Sequence, residues 1–340
     1  MIALALCAPL AAEESDTAEE AAASPLAGKT WEEITEDFLA ASPGQPENVG
    51  IAYYNTVTGE YHALRGDRYY YAASVYKLPL NMYYAEQVYR GELDFDDKIY
   101  GSRYGDMQKA SLLYSSNPES ASLQGWLGEG YAAAIRPYLA DEGEDYDELR
   151  FLRHSFTPRQ LIHALRLLYT EPERFPRVLD YLREAEPDNF FRKYETRFPI
   201  AHKYGWLSEA DITIVNDVGI VWTDEPILLV YMSNNHSGNT ETVGRFCELM
   251  CDYSQYRHAL RLTLEARRTE AGKQRSARWE SQMREQTAHI AELLAAASEA
   301  EQPPAPADSS FRDTALSCLL AALIAAGLAG GGLYLWKRKR

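Results

Sequence analysis

Two groups of strand-like runs lie at opposite ends of a long, mainly helical stretch, and this order constrains the fold more than any other feature. Residues 48–66, NVGIAYYNTVTGEYHALRG, are typical of a β-hairpin with its turn at Thr58-Gly59. Residues 198–235 contain three more runs, FPIAHKYGWL, ADITIVNDVGIVW and EPILLVYMSNN, separated by turn residues. We expect the two groups to pair in one antiparallel sheet, with the helical stretch inserted beside it. The sequence therefore predicts an α+β fold, an antiparallel sheet flanked by helices with an inserted all-α subdomain.

The helical segments are marked by apolar residues three and four apart and by capping signals. Residues 157–170, TPRQLIHALRLLYT, show a Thr cap followed by Pro at the first helical position. Another helix is predicted from about Ser74 to Arg90, with Gly91 as its stop. Further helices are expected from Trp31 and from about Thr240, and residues 100–190 are mainly helical in pattern.

A run of 23 uncharged residues, TALSCLLAALIAAGLAGGGLYLW (314–336), is followed at once by KRKR (337–340). A helix of this length spans a bilayer, since each residue adds about 1.5 Å. Basic residues beside a membrane span stay on the cytoplasmic side. The sequence therefore predicts one transmembrane helix, a basic cytoplasmic tail and a preceding domain outside the cytoplasm.

The other segments fit an exported, single-pass membrane protein. The apolar run IALALCAPLAA, within residues 1–12, suits a secretory signal. Residues 13–30 are acidic and rich in Ala and Ser, which is typical of a linker. The limits that we predict for the remaining segments are 31–255 for the folded domain, 256–300 for a charged helical stalk and 301–313 for a Pro-rich linker.

The composition excludes several classes of function. A net charge of −16, without a basic stripe in the body of the chain, argues against nucleic acid as a partner. The 7 histidines show no metal-binding spacing, so neither a metal site nor any other cofactor is expected. Cys247 and Cys251 lie four residues apart in FCELMC, which matches neither a redox nor a zinc motif and predicts packed thiols.

The stretch YYYAASVYKLPLNMYY (69–84) places Ser74 and Lys77 three residues apart on one face of a predicted helix. A lysine among apolar residues is desolvated, so its pKa falls and its neutral amine can accept the serine proton. The same pattern also fits a helix cap followed by a lysine that reaches the surface. Pro79 has no N–H to donate to the carbonyl of Val75, so we expect a bent or tightened first turn.

Two later stretches favour the catalytic interpretation. YSSN (114–117) supplies hydroxyls and an amide, and HKYGW (202–206) places Lys203 two residues before a glycine. The three elements resemble, in this order, the S-x-x-K, S-x-N and K-T/S-G motifs of the serine β-lactamase and penicillin-binding protein superfamily. SFTPRQLIHAL (155–165) also looks like the Thr-Pro-Arg helix of class A β-lactamases. The resemblance covers roughly residues 31–255 and implies a β-lactamase/transpeptidase-like fold.

The resemblance implies a role for each residue that matches a motif. Ser74 would be the acylated nucleophile, and Lys77 would be its general base. Ser115 would pass a proton to the leaving nitrogen, and Asn117 would hydrogen-bond the acyl-amide side chain of the substrate. Lys203 would hold Ser115 and attract the substrate carboxylate.

The third motif would complete the binding site, with two departures from the superfamily. The backbone N–H groups of Ser74 and Trp206 would form the oxyanion hole. Gly205 would let the substrate lie along the strand edge without a Cβ in the way. Tyr204 stands where Thr or Ser normally contacts the substrate carboxylate, and Ser116 stands where class A enzymes usually carry a structural Asp. The two departures leave open a binding domain without catalysis.

Deacylation is the step that the sequence does not assign. Class A enzymes deacylate with a Glu on an Ω-loop, in an E-x-x-x-N context upstream of the Thr-Pro helix. Here the corresponding stretch is ADEGEDYDELRFLRH (140–154), and no Asn occurs between 118 and 188. The acidic candidates are Asp141, Glu142, Glu144, Asp145, Asp147 and Glu148. A solvated acidic loop is the alternative, so acylation is predicted while turnover stays open.

These observations predict a membrane-anchored, extracytoplasmic serine hydrolase of the class A β-lactamase-like type. It would form an acyl-enzyme at Ser74 with a small molecule such as a β-lactam, or with a cell-wall peptide ending like D-Ala-D-Ala. One alternative is a penicillin-binding D,D-peptidase acting on peptidoglycan stem peptides, which the missing E-x-x-x-N context favours. The other alternative is a catalytically silent peptidoglycan-binding domain.

Overall fold

The computed structural model describes residues 24–141, 146–209, 212–234 and 239–299, without the side chains of 286 and 290–299. The chain divides into two compact units, the first ending at Arg267 and the second beginning at Arg268. The first unit contains every strand and every residue of the candidate site described below. The described part of the second unit is helical.

The strands form one large sheet and two short pairs. Within the described residues they are β1 (Val49–Asn55), β2 (Tyr61–Leu64), β3 (Tyr70–Tyr71), β4 (Lys98–Ile99), β5 (Ser102–Arg103), β6 (Ser155–Phe156), β7 (Ile200–Glu209), β8 (Ile212–Val221) and β9 (Ile227–Ser233). The large sheet has the order β2-β1-β9-β8-β7, and all its neighbours are antiparallel. Residue Ile51 of β1 lies opposite Tyr231 of β9. This pairing of early and late strands confirms the predicted single sheet.

The helices follow the predicted segments closely. Within the described residues the α-helices are α1 (Trp31–Ala41), α2 (Lys77–Tyr89), α3 (Tyr104–Leu113), α4 (Asn117–Leu127), α5 (Tyr131–Ile135), α6 (Glu148–Leu152), α7 (Pro158–Thr170), α8 (Val178–Glu184) and α9 (Thr240–Glu299). In α7 the Thr157 hydroxyl accepts from the Gln160 N–H, and the Gln160 side chain accepts from the Thr157 N–H. Such a capping box satisfies two backbone donors at the start of the helix. Gly91 ends α2 with a φ of +73°, as predicted.

The large sheet is covered on both faces. Alternate residues of β9 point to opposite sides: Leu228 and Val230 join the core on the side of α2 and α7, whereas Leu229 and Tyr231 join the core on the side of α1 and α9. Because both faces are buried, β9 is apolar along its whole length rather than alternating. Cys247 packs in the second core as a free thiol, as does Cys251, which confirms the prediction for these cysteines.

Helix α9 is attached to the sheet by a buried carboxylate as well as by apolar contacts. Glu225, in the turn before β9, accepts hydrogen bonds from the Asn55 amide at 2.9 Å and from His258 at 2.8 Å, and it forms an ion pair with Arg261. The carboxylate is only 3% exposed, so its charge depends on these partners. The predicted boundary between domain and stalk, at residues 255 and 256, falls inside this helix.

Several predicted segments lie outside the described residues. They are the signal-like segment 1–12, residues 13–23 of the linker, the Pro-rich linker 301–313, the apolar run 314–336 and the basic tail 337–340. In the ranges that the structure covers, no helix combines the length and the apolar character that a membrane crossing requires.

Truncating the centre of β9 tests the central place of this strand. We expect Leu229→Ala to lower the free energy of unfolding by about 2–5 kcal/mol, because the removed side chain is fully buried and leaves a cavity. The measurement is urea unfolding followed by tryptophan fluorescence. Val57→Ala, at an exposed position in the β1–β2 turn, is the matched control and should change stability by less than about 0.5 kcal/mol. Equal effects of the two substitutions would contradict the described sheet.

Candidate active site

Ser74 lies in a tight turn directly before α2. Residues Ala73–Tyr76 form a 3-10 turn, and α-helical geometry begins only at Lys77. Pro79 explains this, because it cannot donate the hydrogen bond that an α-helical Val75 carbonyl would accept. The α-helix therefore begins three residues after the predicted start at Ser74, and the turn that holds Ser74 is tightened, as expected from Pro79. Ala73 has a φ of +45°, so the turn also carries backbone strain next to the serine.

The Lys77 amine is the centre of a hydrogen-bonded cluster. Its Nζ lies 3.0 Å from the Ser74 Oγ, 3.3 Å from the Ser115 Oγ and 2.7 Å from the Asn117 Oδ1, and it also donates to the Ser115 carbonyl. Ser115 comes from the connection between α3 and α4, Ser116 is the N-cap residue of α4, and Asn117 is the first residue of α4. Ser115 has a φ of +55°, a conformation that costs about 1 kcal/mol or more without glycine.

A second lysine reaches the same hydroxyl from the sheet. Lys203 lies on β7, the edge strand, and its Nζ donates to the Ser115 Oγ at 2.9 Å and to the Tyr204 carbonyl at 3.0 Å. The Lys203 side chain is fully buried. The structure thus brings together five residues that the motifs single out, from a helix, a loop and a strand.

Burial changes the acidity of both amines. Desolvation lowers the pKa of Lys77 to about 8, although the nearby Glu119 carboxylate acts in the opposite direction. Desolvation and the positive charge of Lys77 hold the pKa of Lys203 well below its usual range, against the opposing charges of Asp217 and Glu186. A neutral amine is a base, whereas an ammonium group is not. The lowered pKa of Lys77 therefore gives this amine, beside the Ser74 hydroxyl, a substantial neutral fraction near physiological pH that an ordinary lysine lacks.

Gly205 keeps β7 close to the serine turn. A Cβ at this position would lie 2.6 Å from the Ala72 carbonyl oxygen and 3.0 Å from the Ser74 backbone nitrogen. Any side chain would therefore push the strand away from the turn. The structure gives this glycine a packing role beyond the open path for substrate that the sequence predicts. The next residue, Trp206, is 61% exposed.

Comparison with known proteins identifies the family of this chain. A model of the family described as "Beta-lactamase enzyme family" matches residues 29–122 and 120–250. The chain belongs to this family. No curated protein matches the sequence.

Solved structures show the fold of the family. A variant of the reconstructed last common ancestor of Gram-negative class A β-lactamases has 19% identity and a TM-score of 0.55, covering 66% of this chain and 99% of its own. A β-lactamase from Xanthomonas campestris pv. campestris has 17% identity and a TM-score of 0.54, covering 64% and 95%. A β-lactamase from Chitinophaga pinensis has 18% identity and a TM-score of 0.54, covering 65% and 97%. These similarities show a shared fold.

Serine hydroxyls form a hydrogen-bonded network around the second motif, YSSN. In this motif Ser116 stands where class A enzymes usually carry an Asp. Ser116 donates to Glu119, and its carbonyl accepts from the Ser120 hydroxyl at 2.5 Å. Ser120 lies 2.8 Å from Ser111, which accepts from the Asn81 amide at 2.8 Å. These bonds tie α2, α3 and α4 together behind Lys77, so a structural polar network is present without the Asp.

Among the described residues of the acidic stretch, the carboxylates have contacts away from the cluster or are exposed. Asp141 pairs with His163 at 3.6 Å, and Asp147 caps α6 through the Arg150 N–H. Glu148 is an exposed residue of the same helix. Glu142, Glu144 and Asp145 lie outside the described residues. The described part of the stretch therefore assigns no residue to deacylation.

One histidine near the serine turn carried no motif in the sequence. The ring of His154 stacks on Tyr76 with 3.8 Å between centroids, and its Nε2 lies 3.1 Å from the Gln124 Oε1. The His154 carbonyl accepts from the Ala72 N–H at 2.7 Å. Burial, together with the charge of Lys77, lowers the pKa of His154 to about 4, so the imidazole is neutral at physiological pH. In the sequence, only its position shortly before the Thr-Pro helix marked His154 as a candidate site residue.

The depressed pKa of Lys77 predicts a pH dependence of stability. Between about pH 8 and the ordinary lysine value of 10.5, the unfolded chain binds a proton at this amine that the folded chain does not. Stability should therefore rise with pH across this window, by an amount on the order of 1 kcal/mol after allowance for solvent screening. Lys77→Met should remove this part of the rise, and Lys109→Met, at an exposed position, should keep it. Urea unfolding at both ends of the window measures the difference; identical slopes in all three proteins would refute it.

Proposed function

We propose that this protein is a serine hydrolase that forms an acyl-enzyme at Ser74 with amides of the β-lactam or cell-wall peptide type. The observation that carries the proposal is the 3.0 Å contact between the Lys77 Nζ and the Ser74 Oγ, made by an amine whose pKa lies at about 8. An activated nucleophile requires a base at hydrogen-bonding distance that is neutral at working pH. The Lys77 amine lies at that distance, and its lowered pKa gives it a much larger neutral fraction near neutral pH than an ordinary lysine has. A helix cap with a surface-reaching lysine provides neither condition.

The acylation step follows from these contacts. Neutral Lys77 accepts the proton of Ser74 as the serine oxygen bonds to the substrate carbonyl carbon. The backbone N–H groups of Ser74 and Trp206 would stabilise the oxyanion, each by about 3 kcal/mol. The C–N bond then breaks, and the proton passes from Lys77 through the Ser115 hydroxyl to the leaving nitrogen.

Two other residues have compatible roles in this step. Lys203 donates to the Ser115 Oγ, which orients the hydroxyl toward the leaving group. The Asn117 oxygen accepts from Lys77, so its amide NH₂ is left to bind a carbonyl of the substrate acyl side chain. In both roles the side chain is held in place by hydrogen bonds within the cluster, which are those of the Lys203 amine and of the Asn117 amide oxygen.

A D,D-peptidase is the second candidate within the same chemistry. It is favoured by the absence, among the described residues of the acidic stretch, of a carboxylate facing Ser74. An acyl-enzyme without a dedicated water-activating carboxylate deacylates slowly with a β-lactam, whose leaving nitrogen stays attached, while a peptide can leave after the first step. A catalytically silent binding domain is a third candidate. In that case Ser116 and Tyr204 would be substitutions that accompanied the loss of activity.

We also propose that the protein acts outside the cytoplasm, anchored by the apolar run 314–336. The support is the sequence: an uncharged run of bilayer-spanning length followed by KRKR, and an apolar run at residues 2–12. Both β-lactams and cell-wall peptides are met on that side of the membrane.

Covalent labelling of the serine tests the proposed function. The protein is incubated with a fluorescent penicillin and, separately, with a fluorophosphonate that reacts with activated serines. We expect a persistent adduct with each probe, lost in Ser74→Ala and retained in Ser102→Ala, a control at an exposed serine of β5, with little turnover of a chromogenic cephalosporin. Rapid cephalosporin turnover would favour a β-lactamase over a D,D-peptidase. Absence of any Ser74-dependent adduct with both probes would favour the silent binding domain.

The acylation rate should depend on pH through Lys77. Because only the neutral amine accepts the proton, the rate of fluorophosphonate labelling should rise about tenfold per pH unit below pH 8 and level off above it. Stopped-time labelling across this range gives the profile. Lys109→Met should give the same profile as the unsubstituted protein, and Lys77→Met should lower the rate by about 100-fold or more. A flat profile through pH 8 would exclude Lys77 as the base.

A further inference from the structure

A cavity of about 260 Å³ is lined by residues of α7, of β1 and β2, and of the connection before α6. Its volume is close to the lower end of the range for small-molecule sites, which is about 300–1,000 Å³. In the large sheet, β2 and β1 stand at one edge, whereas β7, which carries Lys203, stands at the other. The cavity is therefore separate from the candidate active site, and the acyl transfer proposed above does not use it.

Two arginine–tyrosine contacts form the walls of this cavity. Tyr54 of β1 and Tyr61 of β2 are direct partners across the two strands. The Arg166 guanidinium carbon lies 5.0 Å from the centroid of the Tyr54 ring, and that of Arg159 lies 5.2 Å from the Tyr61 centroid. Arg159, His163 and Arg166 follow one another at four and three residues, so they share one face of α7. This face of the helix therefore places two cations against two neighbouring rings.

The two arginines differ in their polar partners. Arg159 donates from Nε and Nη2 to the two carboxylate oxygens of Asp67, at 2.6 Å and 3.1 Å. Arg166 is exposed, and among the residues that the structure describes no carboxylate lies within ion-pair distance of its guanidinium. A guanidinium group has five N–H donors and can bind a carboxylate through two parallel hydrogen bonds. Arg166 is therefore the cation of the cavity whose donors are available to a ligand.

The other lining residues favour a ligand with hydroxyl groups. The Gln160 side-chain oxygen accepts a hydrogen bond in the cap of α7, so its NH₂ group is left to donate. Asp141 lies 3.6 Å from the His163 Nδ1, and its carboxylate has acceptor sites for further donors. Leu139 and Ile162 add apolar surface. Because one lining residue is itself a carboxylate, a ligand with one negative charge fits better than a multiply charged phosphate.

We propose that this cavity is a second binding site of the protein, and that it takes a small hydroxylated carboxylic acid of about the size of one sugar ring. The ligand carboxylate pairs with Arg166, and the ligand hydroxyls bond to the Gln160 amide and the Asp141 carboxylate. The Tyr54 ring holds the Arg166 guanidinium in place, so less side-chain freedom is lost when the ligand binds. The site binds its ligand without any chemical step.

Three sugars of one ring size test the charge preference. D-glucuronate, D-glucose and D-glucosamine are anionic, neutral and cationic, and equilibrium dialysis of each radiolabelled sugar against the full chain in detergent gives its Kd. We expect glucuronate to bind more tightly than glucose by about tenfold or more, the size of one charge-assisted contact, and glucosamine to bind more weakly than glucuronate. No binding of glucuronate at millimolar concentration, or binding no tighter than that of glucose, would overturn the inference.

Substitution of Arg166 locates the bound acid. Arg166→Gln removes the charge and the paired donors, so the Kd of glucuronate should rise by about tenfold or more while that of glucose changes little. The matched control is Arg183→Gln in α8, since Arg183 is also exposed and also lies over an aromatic ring, Trp222, at 4.7 Å. The control should bind glucuronate as the unsubstituted protein does. Equal losses in the two variants would show a general charge effect and overturn the inference.

A second substitution changes the charge of the cavity without removing a helix cap. In Gln160→Glu the new carboxylate can accept the same Thr157 N–H, because Glu and Gln both complete a capping box. The cavity then carries a negative charge where it had an amide, so glucuronate should bind about fivefold or more weakly and glucosamine more tightly. An unchanged Kd of glucuronate in this variant would contradict the site. None of these measurements involves Ser74, so their outcome leaves the proposed function untouched.

Discussion

Two lysine amines that converge on one serine hydroxyl are the constraint on which the site depends. Lys77 and Lys203 both donate to the Ser115 Oγ, although both are buried and their charges repel. Desolvation by burial lowers the pKa of both amines, and the charge of Lys77 lowers the pKa of Lys203 further. The arrangement is unfavourable for stability and favourable for chemistry, because it is what provides a free base next to Ser74.

The fold was predictable because its signals are local. The hairpin turn at Gly59, the Thr-Pro cap of α7 and the apolar runs of β7 to β9 each reveal an element without knowledge of the rest. The pairing of β1 with β9 then followed, since unpaired strands are not stable alone. The three motifs were likewise readable, because each places its residues within a few positions of one another.

The remaining contacts at the site join residues that are distant in sequence, so no motif spacing could have predicted them. His154 stacks on Tyr76 across most of the helical insertion, and His202 on β7 binds the Ala185 carbonyl in the loop after α8. The same is true of the hydroxyl network of Ser111, Ser116 and Ser120, in which Ser116 stands where class A enzymes usually carry an Asp. A departure from a motif can be read from the sequence. Which side chains surround the changed position is seen only in the folded structure.

The order of strands in the sheet has a consequence for the protein during synthesis. Lys203 is held in place by β7, which needs β8; β8 needs β9, and β9 closes against β1 near the start of the domain. Contacts between segments so far apart in sequence form late in folding, after the chain has emerged in full. A nascent chain therefore carries Ser74 and Lys77 before Lys203 is held in place, and the site is complete only after β9, the last strand, has been added.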